Sequence, residues 1–339
     1  MTIKSSTPDI NRTVTPRALE EDIISEISLR PRGLDEYVGQ AQIKAHLRVS
    51  IGSAKIRKQS LEHILFYGPP GLGKTTISTI IAHEMGSAIK HTSGPAVEKQ
   101  ADIISLLTSL TEGEILFIDE IHRLKPQIEE ILYSAMEDFQ IDIMIGNGTG
   151  ATSVKMDIPR FTLIGATTKL SNLSSPLRDR FGNVLKLDFY NTSDLAKIVK
   201  RSFGVLGLEV ISDTGILSIA ERSRGTPRIA NRYVKIMRDY ATTGRSIETR
   251  EDCNEIFESF WVDTHGLDTL DRKLMHHLMD TFSGRPVGLT TIASVIGEEV
   301  ATIEDVVEPY LLQIGFIERT PRGRQITLKG EEYLRKSEK

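Results

Sequence analysis

The chain has 339 residues, of which 39% are hydrophobic and 26% charged, and its formal net charge is −4. This length predicts two or three domains, and the composition is typical of a soluble globular protein without a membrane partner. No apolar run is long enough to span a bilayer and residues 1–28 lack a secretory signal, so we expect a cytoplasmic protein. Cys253 is the single cysteine, which excludes an internal disulfide and a cysteine-rich zinc site. Because the net charge is −4, any nucleic-acid contact is expected to come from a local basic patch.

The first chemical motif lies at Gly68–Thr75 and fits the pattern G-x-x-x-x-G-K-[ST]. A strand candidate, residues 63–67, precedes it, and a helix-compatible stretch, Thr76–Met85, follows it. Glycines let the backbone wrap phosphate oxygens, and the N–H groups at the helix start supply positive potential. Lys74 would reach the β- and γ-phosphates, and the Thr75 hydroxyl would ligate Mg²⁺. The segment predicts binding of a nucleoside triphosphate.

Two carboxylates follow a second buried strand at residues 114–118. Asp119 would hold Mg²⁺ through its water shell, and Glu120 would orient and polarise the attacking water. With His122, the run also fits a DExH box, which suggests a two-lobed helicase. Too little chain remains for a second α/β lobe, so we expect His122 to be a surface or interface residue.

Three further polar positions suit a phosphoryl transition state. Thr168 follows a strand at residues 161–166 and could hydrogen-bond the γ-phosphate or the attacking water. The segment Arg178-Asp179-Arg180 places two arginines around one aspartate, and either arginine is a forked cation for phosphate or a salt-bridged structural arginine. Arg228 falls in the first turn of a helix that starts at Gly-Thr-Pro, where an anionic ligand is a sensible partner.

An insertion between these strands predicts a β-hairpin. Alternating apolar residues lie at residues 141–145 and 154–158, on either side of a Gly/Asn-rich loop. Ile141, Ile143 and Ile145 share one face. That face either packs on the protein's own sheet or forms an exposed docking arm.

The C-terminal region predicts three helices and a two-stranded wing. Helix-like patterns cover residues 271–280, 290–296 and 303–314, and strand candidates cover residues 316–320 and 325–328. The turn between the strands is basic, and each of its arginines could neutralise a phosphate, so that binding follows DNA shape rather than sequence. The alternative is a solvated basic turn. The arginines concerned are Arg319, Arg322 and Arg324.

In this order, the motifs resemble those of the AAA+ ATPases and, among them, the RuvB family of Holliday-junction branch-migration motors. The resemblance extends from about residue 28 to 328. It implies an α/β fold: an AAA+ P-loop core with a parallel sheet flanked by helices, a helical lid, and a C-terminal winged-helix domain. The expected divisions are a mobile tail (1–28), the ATPase domain (29–190), the lid (191–262) and the DNA-binding head (263–339). The segments that carry the resemblance are 30–40, 68–76, 116–124, 135–140, 142–146, 165–168, 175–182, 225–228, 302–305 and 319–324.

The resemblance also implies residue roles. Thr168 is similar to sensor one and Arg228 to sensor two, which acts in cis, while Arg180 is similar to the arginine finger presented to a neighbour's ATP. The remaining nucleotide contacts that it implies are Leu29 and Arg30 at the adenine; Gly71, Gly73, Lys74, Thr75 and Thr76 at the phosphates; Tyr190; and Glu137, Asp138 and Phe139, which would face the adjoining subunit's nucleotide.

From the resemblance we expect a hexameric ring that binds ATP or ADP with Mg²⁺ and pumps the duplex arms of Holliday junctions in recombination and repair. A RuvA-like junction-binding protein would dock on the hairpin, which favours the docking interpretation, and a RuvC-like resolvase is a possible further partner. Val300 stands where the family commonly has a basic residue, so one DNA contact is expected to be missing or supplied elsewhere.

Two rival functions share the nucleotide motifs. A clamp-loader-like or initiator-like switch would bind ATP without translocating, but the winged-helix domain and the hairpin weigh against a clamp loader. A nucleotide-gated DNA-binding regulator would have negligible turnover, and the intact Glu120 and Arg180 weigh against it.

Overall fold

A computed structural model describes residues 29–145, 152–208 and 211–337. The predicted tail (1–28) and the centre of the predicted hairpin (146–151) lie outside the described residues. Among the described helices, none has the length and hydropathy needed to cross a bilayer.

The centre of the molecule is a five-stranded parallel sheet in the order β2-β3-β6-β1-β7. Because all five strands run the same way, their carboxyl ends meet at one edge, where α/β proteins place ligands. The predicted parallel P-loop sheet is confirmed. Its strands are β1 (Ile64–Tyr67), β2 (Ile89–Ser93), β3 (Ile115–Asp119), β6 (Thr162–Thr167) and β7 (Asn183–Lys186).

Helices cover both faces of the sheet, so its central strands are apolar on both sides. Phe66 and Phe117 pack into a cluster under one face, while Leu65 and Leu116, which alternate with them, pack into a second cluster under the other. The helices of this domain are α1 (Ala41–Arg57), α2 (Lys74–Met85), α3 (Gln100–Thr108), α4 (Pro126–Glu137) and the single turn α5 (Ser175–Arg178).

The predicted hairpin forms, as β4 (Gln140–Ile145) paired antiparallel with β5 (Thr152–Asp157). Ile141 lies opposite Met156 and is 1% exposed, within the cluster that contains Leu65. The prediction that Ile141 belongs to a docking surface is therefore wrong: this first apolar residue of the strand packs on the protein's own core. The side chains of Ile143 and Ile145 lie outside the described part of the structure.

Four helices follow the sheet and form the lid. They share one continuous cluster of buried side chains with the ATPase domain, which runs from Leu34 to Val262. The predicted helix start at Gly-Thr-Pro is confirmed, with Pro227 in the first turn, where its missing N–H costs no hydrogen bond. The lid helices are α6 (Thr192–Val205), α7 (Asp213–Arg222), α8 (Pro227–Thr242) and α9 (Arg250–Ser259).

The last domain is a winged helix with its own core, as predicted. One strand boundary differs: the second wing strand ends at Ile326, and Leu328, expected within it, begins a helix and is 79% exposed. That helix had no predicted counterpart, and it seals the core with the buried Leu334. The elements are α10 (Thr269–His276) with a π-turn His277–Thr281; α11 (Leu289–Ile296); α12 (Val300–Thr302), a π-turn Ile303–Val307 and α13 (Glu308–Gln313); β8 (Ile317–Thr320); β9 (Gly323–Ile326); and α14 (Leu328–Ser337).

Candidate active site

A cleft of about 800 Å³ opens between the carboxyl edge of the sheet and the lid. Its size is within the range of small-molecule and cofactor sites. Most of the predicted nucleotide residues line it, although they come from five separate segments of the chain. These residues are Leu29, Arg30, Gly71, Gly73, Lys74, Thr75, Thr76, Asp119, Glu120, Thr168 and Arg228.

The P-loop connects β1 to α2 and folds around the ammonium group of Lys74. The Lys74 Nζ donates hydrogen bonds to the carbonyl oxygens of Gly68, at 2.7 Å, and Pro69, at 2.9 Å. Gly68 has φ 141°, and a Cβ there would approach the Leu187 carbonyl oxygen to 2.5 Å, so only glycine fits. Burial lowers the pKa of Lys74 to about 8, against the opposing effect of Glu120 and Asp119.

The two carboxylates stand at the end of β3, on the floor of the cleft. Glu120 has a left-handed backbone with φ 47°, a conformation that costs roughly 1 kcal/mol or more in a non-glycine residue. Its carbonyl approaches Gly94 so closely that a Cβ on Gly94 would lie 2.4 Å from it. The Thr168 hydroxyl donates to the Glu120 carboxylate at 3.2 Å, so the structure brings these two predicted residues together.

His122 contacts the same carboxylate, contrary to its predicted place on the surface or at an interface. Its side chain is only 9% exposed, and its Nδ1 lies 3.2 Å from Glu120 Oε2 and 2.8 Å from Thr167 Oγ1. Burial lowers the pKa of His122, which favours the neutral ring. The run Asp-Glu-Ile-His contains this histidine, but as a sequence motif it indicated a two-lobed DExH-box helicase and not a contact with Glu120.

The segment before α1 forms part of the cleft wall and is bound by the lid helix α6. The guanidinium of Arg201, in α6, donates to the carbonyl oxygens of Leu29 at 2.7 Å and Arg30 at 3.3 Å. No motif pointed to Arg201. Tyr190 does not line the cleft: its buried hydroxyl reaches the Leu72 carbonyl at 3.5 Å and the Tyr37 hydroxyl at 3.0 Å, beneath the P-loop. The structure therefore places Tyr190 as a support of the loop.

The lid helix α8 faces the cleft with more residues than Arg228. The Arg228 backbone N–H lies 3.4 Å from the Gly71 carbonyl, so the start of α8 rests on the P-loop. Successive turns of the same helix face add polar and basic groups, which sequence analysis missed. A spacing of three or four residues from Arg228 would have indicated them. The added residues are Asn231, Arg232, Lys235 and Arg238.

Arg180 lies far from this cleft. It borders a separate cavity of about 750 Å³, whose lining includes Phe139, Phe161 and Gly182, at the amino ends of the strands. Its guanidinium is 3.0 Å from Glu137, donates to the Pro176 carbonyl at 2.9 Å, and lies over the Tyr133 ring. The strands in between put roughly 15–20 Å between the two edges of the sheet.

The sequence suggested that the three wing arginines are equivalent, but the structure places them differently. Arg319 and Arg324 both pair with the fully buried Glu308, and their Nε atoms donate hydrogen bonds to Glu308 Oε1 at 2.7 and 2.8 Å. Burial would raise the pKa of Glu308, but the hydrogen bonds from both arginines outweigh it, and the pKa is lowered. Arg322, at the exposed tip, has no side-chain partner among the described residues. The expectation that each arginine neutralises a phosphate stays a prediction, and Arg319 and Arg324 also hold the wing together through Glu308.

The cleft fits a nucleoside triphosphate with a divalent cation. Lys74 donates two of its three N–H groups to P-loop carbonyl oxygens and has a third for a phosphate oxygen, and the lid adds the guanidinium of Arg228. Hard oxygen donors at Thr75, Asp119 and Glu120 suit Mg²⁺. In the described part of the chain, no group of three or more His, Cys, Asp or Glu side chains is placed to hold a metal ion by itself.

Comparisons with known proteins cover almost the whole described chain. Residues 29–187 match the family described as the Holliday junction DNA helicase RuvB P-loop domain. Residues 190–263 match the RuvB AAA lid domain, and residues 264–335 match the RuvB C-terminal winged helix domain.

Solved structures agree with these matches. The Thermotoga maritima RuvB Holliday junction branch migration motor is 46% identical, with a TM-score of 0.83 over 91% of this chain and 98% of that chain. A point mutant of the Thermotoga protein is 47% identical, with the same TM-score and coverage.

Proposed function

Because this chain belongs to the RuvB family of Holliday junction DNA helicases, we propose that it hydrolyses ATP at the interfaces of a hexameric ring, with each site completed by a neighbour's Arg180. The family makes it a branch-migration motor, an ATP hydrolase and a DNA-binding protein. The finer proposal is that the ring pumps duplex arms of the junction, in the cytoplasm, during recombination and repair. For the chain itself we propose the domain limits that were predicted from the sequence.

The position of Arg180 carries this proposal. It lies at the amino edge of the sheet, whereas its own P-loop lies at the carboxyl edge. A side chain cannot cross roughly 15–20 Å of packed sheet, so Arg180 does not reach its own cleft, and this supports a role at a nucleotide bound by another subunit. Glu137 and Phe139 border the same region, which agrees with their expected place beside the adjoining nucleotide together with Asp138. In a ring, one edge of each subunit would thus face the cleft of the next.

Within the cleft, each side chain has a task that its position supports. Mg²⁺-bound ATP supplies a γ-phosphoryl group whose departure spreads negative charge over its oxygens. Lys74 and Arg228 would bind phosphate oxygens, and Thr75 and Asp119 would hold the cation directly and through its water shell. Glu120 would orient the attacking water and accept its proton, and Thr168 would hydrogen-bond the γ-phosphate or that water. Leu29 and Arg30, held by Arg201, would border the adenine.

The partner proposal rests on the outer part of the hairpin. Ile141 is buried, so a docking surface has to begin beyond it. Val154, paired in register with Ile143, is 44% exposed and supplies an apolar position on the described part of β5. We propose that a RuvA-like junction-binding protein docks on Ile143, Ile145 and Val154. A RuvC-like resolvase would act on the same junction.

An ATPase assay followed by junction dissociation tests the function. Duplex DNA is expected to stimulate hydrolysis, and a four-way junction is expected to dissociate only with ATP. Lys74→Ala is the negative control, because this variant is expected not to hydrolyse ATP. Stimulation without dissociation would favour a loading switch, and DNA binding without turnover would favour a regulator; either result contradicts the motor.

ATP affinity is expected to fall as pH rises above about 8. The buried Lys74 has its pKa lowered to about 8, so the ammonium that phosphate prefers is present below this pH and is lost above it. The dissociation constant for ATP should rise by up to about tenfold per pH unit there. Calorimetric titration between about pH 7 and pH 9.5 measures this, and binding should take up a proton at the alkaline end. A constant affinity without proton uptake would contradict the prediction. Circular dichroism at each pH controls for unfolding.

Arg322→Ala is expected to weaken DNA binding and to reduce the slope of log K against log salt by about 0.9, the loss of one phosphate contact. The exposed wing tip suits such a contact, whereas Val300, 38% exposed, supplies none. Fluorescence anisotropy on duplex DNA over a salt series measures the slope. Arg335→Ala is the matched control, because Arg335 is an exposed arginine of the same domain that pairs with Glu331. An unchanged slope for Arg322→Ala would contradict the wing contact.

A further inference from the structure

Two contacts join the winged-helix domain to the segments that carry the two residues similar to sensors. Arg224 lies four residues before Arg228, and Lys169 directly follows Thr168. Each side chain forms ion pairs with the winged-helix domain. The domain that binds DNA thus touches both sides of the nucleotide cleft through charged side chains, and the two contacts differ in burial.

The Arg224 side chain is buried and contacts three groups of the winged-helix domain. Its guanidinium, 9% exposed, lies 2.6 Å from Asp271, which is fully buried, and 3.0 Å from Asp268. Its Nε donates to the Gly266 carbonyl at 2.7 Å. Asp268 and Asp271 also cap the start of α10, so the contact is built into the fold of the winged helix. Breaking a buried pair of this kind is strongly destabilising, so this contact persists.

The Lys169 contact is exposed and can be broken. Its Nζ lies 3.1 Å from Asp305 and 3.6 Å from Glu304, and all three side chains are between 35% and 47% exposed. Exposed pairs of this type contribute little to stability. The two acids lie in the π-turn Ile303–Val307, and π-turns within α-helices are frequently found at functional sites.

Lys169 is connected to Glu120 by a short path. Its backbone N–H donates to Thr167 Oγ1 at 3.0 Å, and that oxygen is 2.8 Å from His122 Nδ1, which contacts Glu120 at 3.2 Å. The neighbouring Thr168 hydroxyl donates to the same carboxylate. In this arrangement Thr168 and His122 both contact the Glu120 carboxylate, so a turn of that carboxylate toward an attacking water has to break these contacts.

We propose that the pair between Lys169 and Glu304/Asp305 is a releasable latch by which the winged-helix domain positions Glu120. While the latch is closed, Thr168 and His122 hold Glu120 in its resting orientation. When DNA engages the winged-helix domain, the domain turns about the Arg224 contact and the latch opens, which releases the carboxylate. Lys169 is a positioning residue in this proposal, which rests on the proposed DNA-driven hydrolysis.

The test compares steady-state ATP hydrolysis of full-length variants with and without duplex DNA. Lys169→Met should raise the DNA-independent kcat about fivefold, because an exposed ion pair contributes enough free energy to shift an equilibrium between two orientations by about that factor. The stimulation of kcat by DNA should fall by the same factor. The KM for ATP should change by less than about twofold, because no nucleotide contact is lost. The charge swap Lys169→Glu with Glu304→Lys and Asp305→Lys should restore the low basal kcat. Lys200→Met is the matched control: Lys200 forms a similar exposed pair with Asp213 at 3.2 Å, within the lid.

A basal kcat of Lys169→Met within about twofold of the parent, or a charge-swapped protein that behaves like the single variant, overturns the latch. An equal fall of basal and stimulated kcat also overturns it, because Lys169 would then merely support the strand. If the parent protein shows no DNA stimulation, the proposed motor function fails, while the basal kcat and its rescue still decide the latch.

Discussion

Arg180→Ala is expected to bind ATP as the parent protein does and to lose roughly 10³–10⁵-fold in kcat, the effect of an arginine finger in other phosphoryl-transfer systems. The physical reason is its position: Arg180 lines the cavity at the amino edge of the sheet and contributes nothing to its own cleft. Nucleotide binding by fluorescence titration and single-turnover hydrolysis separate the two quantities. Arg178→Ala is the matched control, because Arg178 is a nearby, 40% exposed arginine that pairs only weakly, at 3.8 Å, with Asp179.

Mixing experiments decide whether Arg180 acts in trans. Arg180→Ala subunits keep an intact P-loop, and Lys74→Ala subunits keep an intact arginine, so mixed rings should regain part of the hydrolysis that neither variant has alone. Normal turnover by the Arg180→Ala protein would show that the finger is not needed. A lack of recovery in rings proved to be mixed by native mass spectrometry would contradict its action across the interface.

Glu120→Gln is expected to lower kcat by about 10²–10⁴-fold, the usual contribution of a positioned general base, while ATP still binds. The amide is the same size as the carboxylate and can still accept a hydrogen bond from Thr168, so the cleft should stay intact. It cannot accept the proton of the attacking water. Rapid-quench measurement of the chemical step tests this directly.

The matched control for this prediction is Glu251→Gln. Glu251 is an exposed carboxylate in the first turn of the lid helix Arg250–Ser259, so its loss should change neither binding nor kcat. A Glu120→Gln protein with a chemical step within about tenfold of the parent would show that Glu120 is not the base. Weaker ATP binding without a slower chemical step would give it a purely structural role.

Local sequence patterns predicted the sheet, the lid and most of the cleft, because these depend on short-range rules. Gly68–Thr75 requires glycines at fixed places, and the strand before Asp119 delivers its carboxylate to the carboxyl edge wherever the parallel sheet forms. Hydrophobic periodicity likewise indicated the winged helix. It did not indicate the helix Leu328–Ser337, whose start follows a strand without a turn signal and whose single fully buried anchor is Leu334.

Long-range pairing decided the rest. Arg319 and Arg324 have the composition of a DNA contact, yet both bind Glu308, which lies in a preceding helix and is fully buried. Thr168, which follows β6, and His122, which follows β3, both contact Glu120, and Arg201 reaches from the lid helix α6 to Leu29. Charge on a side chain can be read from the sequence, but its partner cannot.

The sequence by itself determined that this chain binds nucleotide, because a P-loop is a local backbone shape encoded by contiguous residues. Only the tertiary structure decided that Arg180 faces away from that nucleotide and that Ile141 belongs to the core. Both outcomes depend on which edge of the sheet a residue reaches, and that is set by how the strands pack rather than by neighbours along the chain.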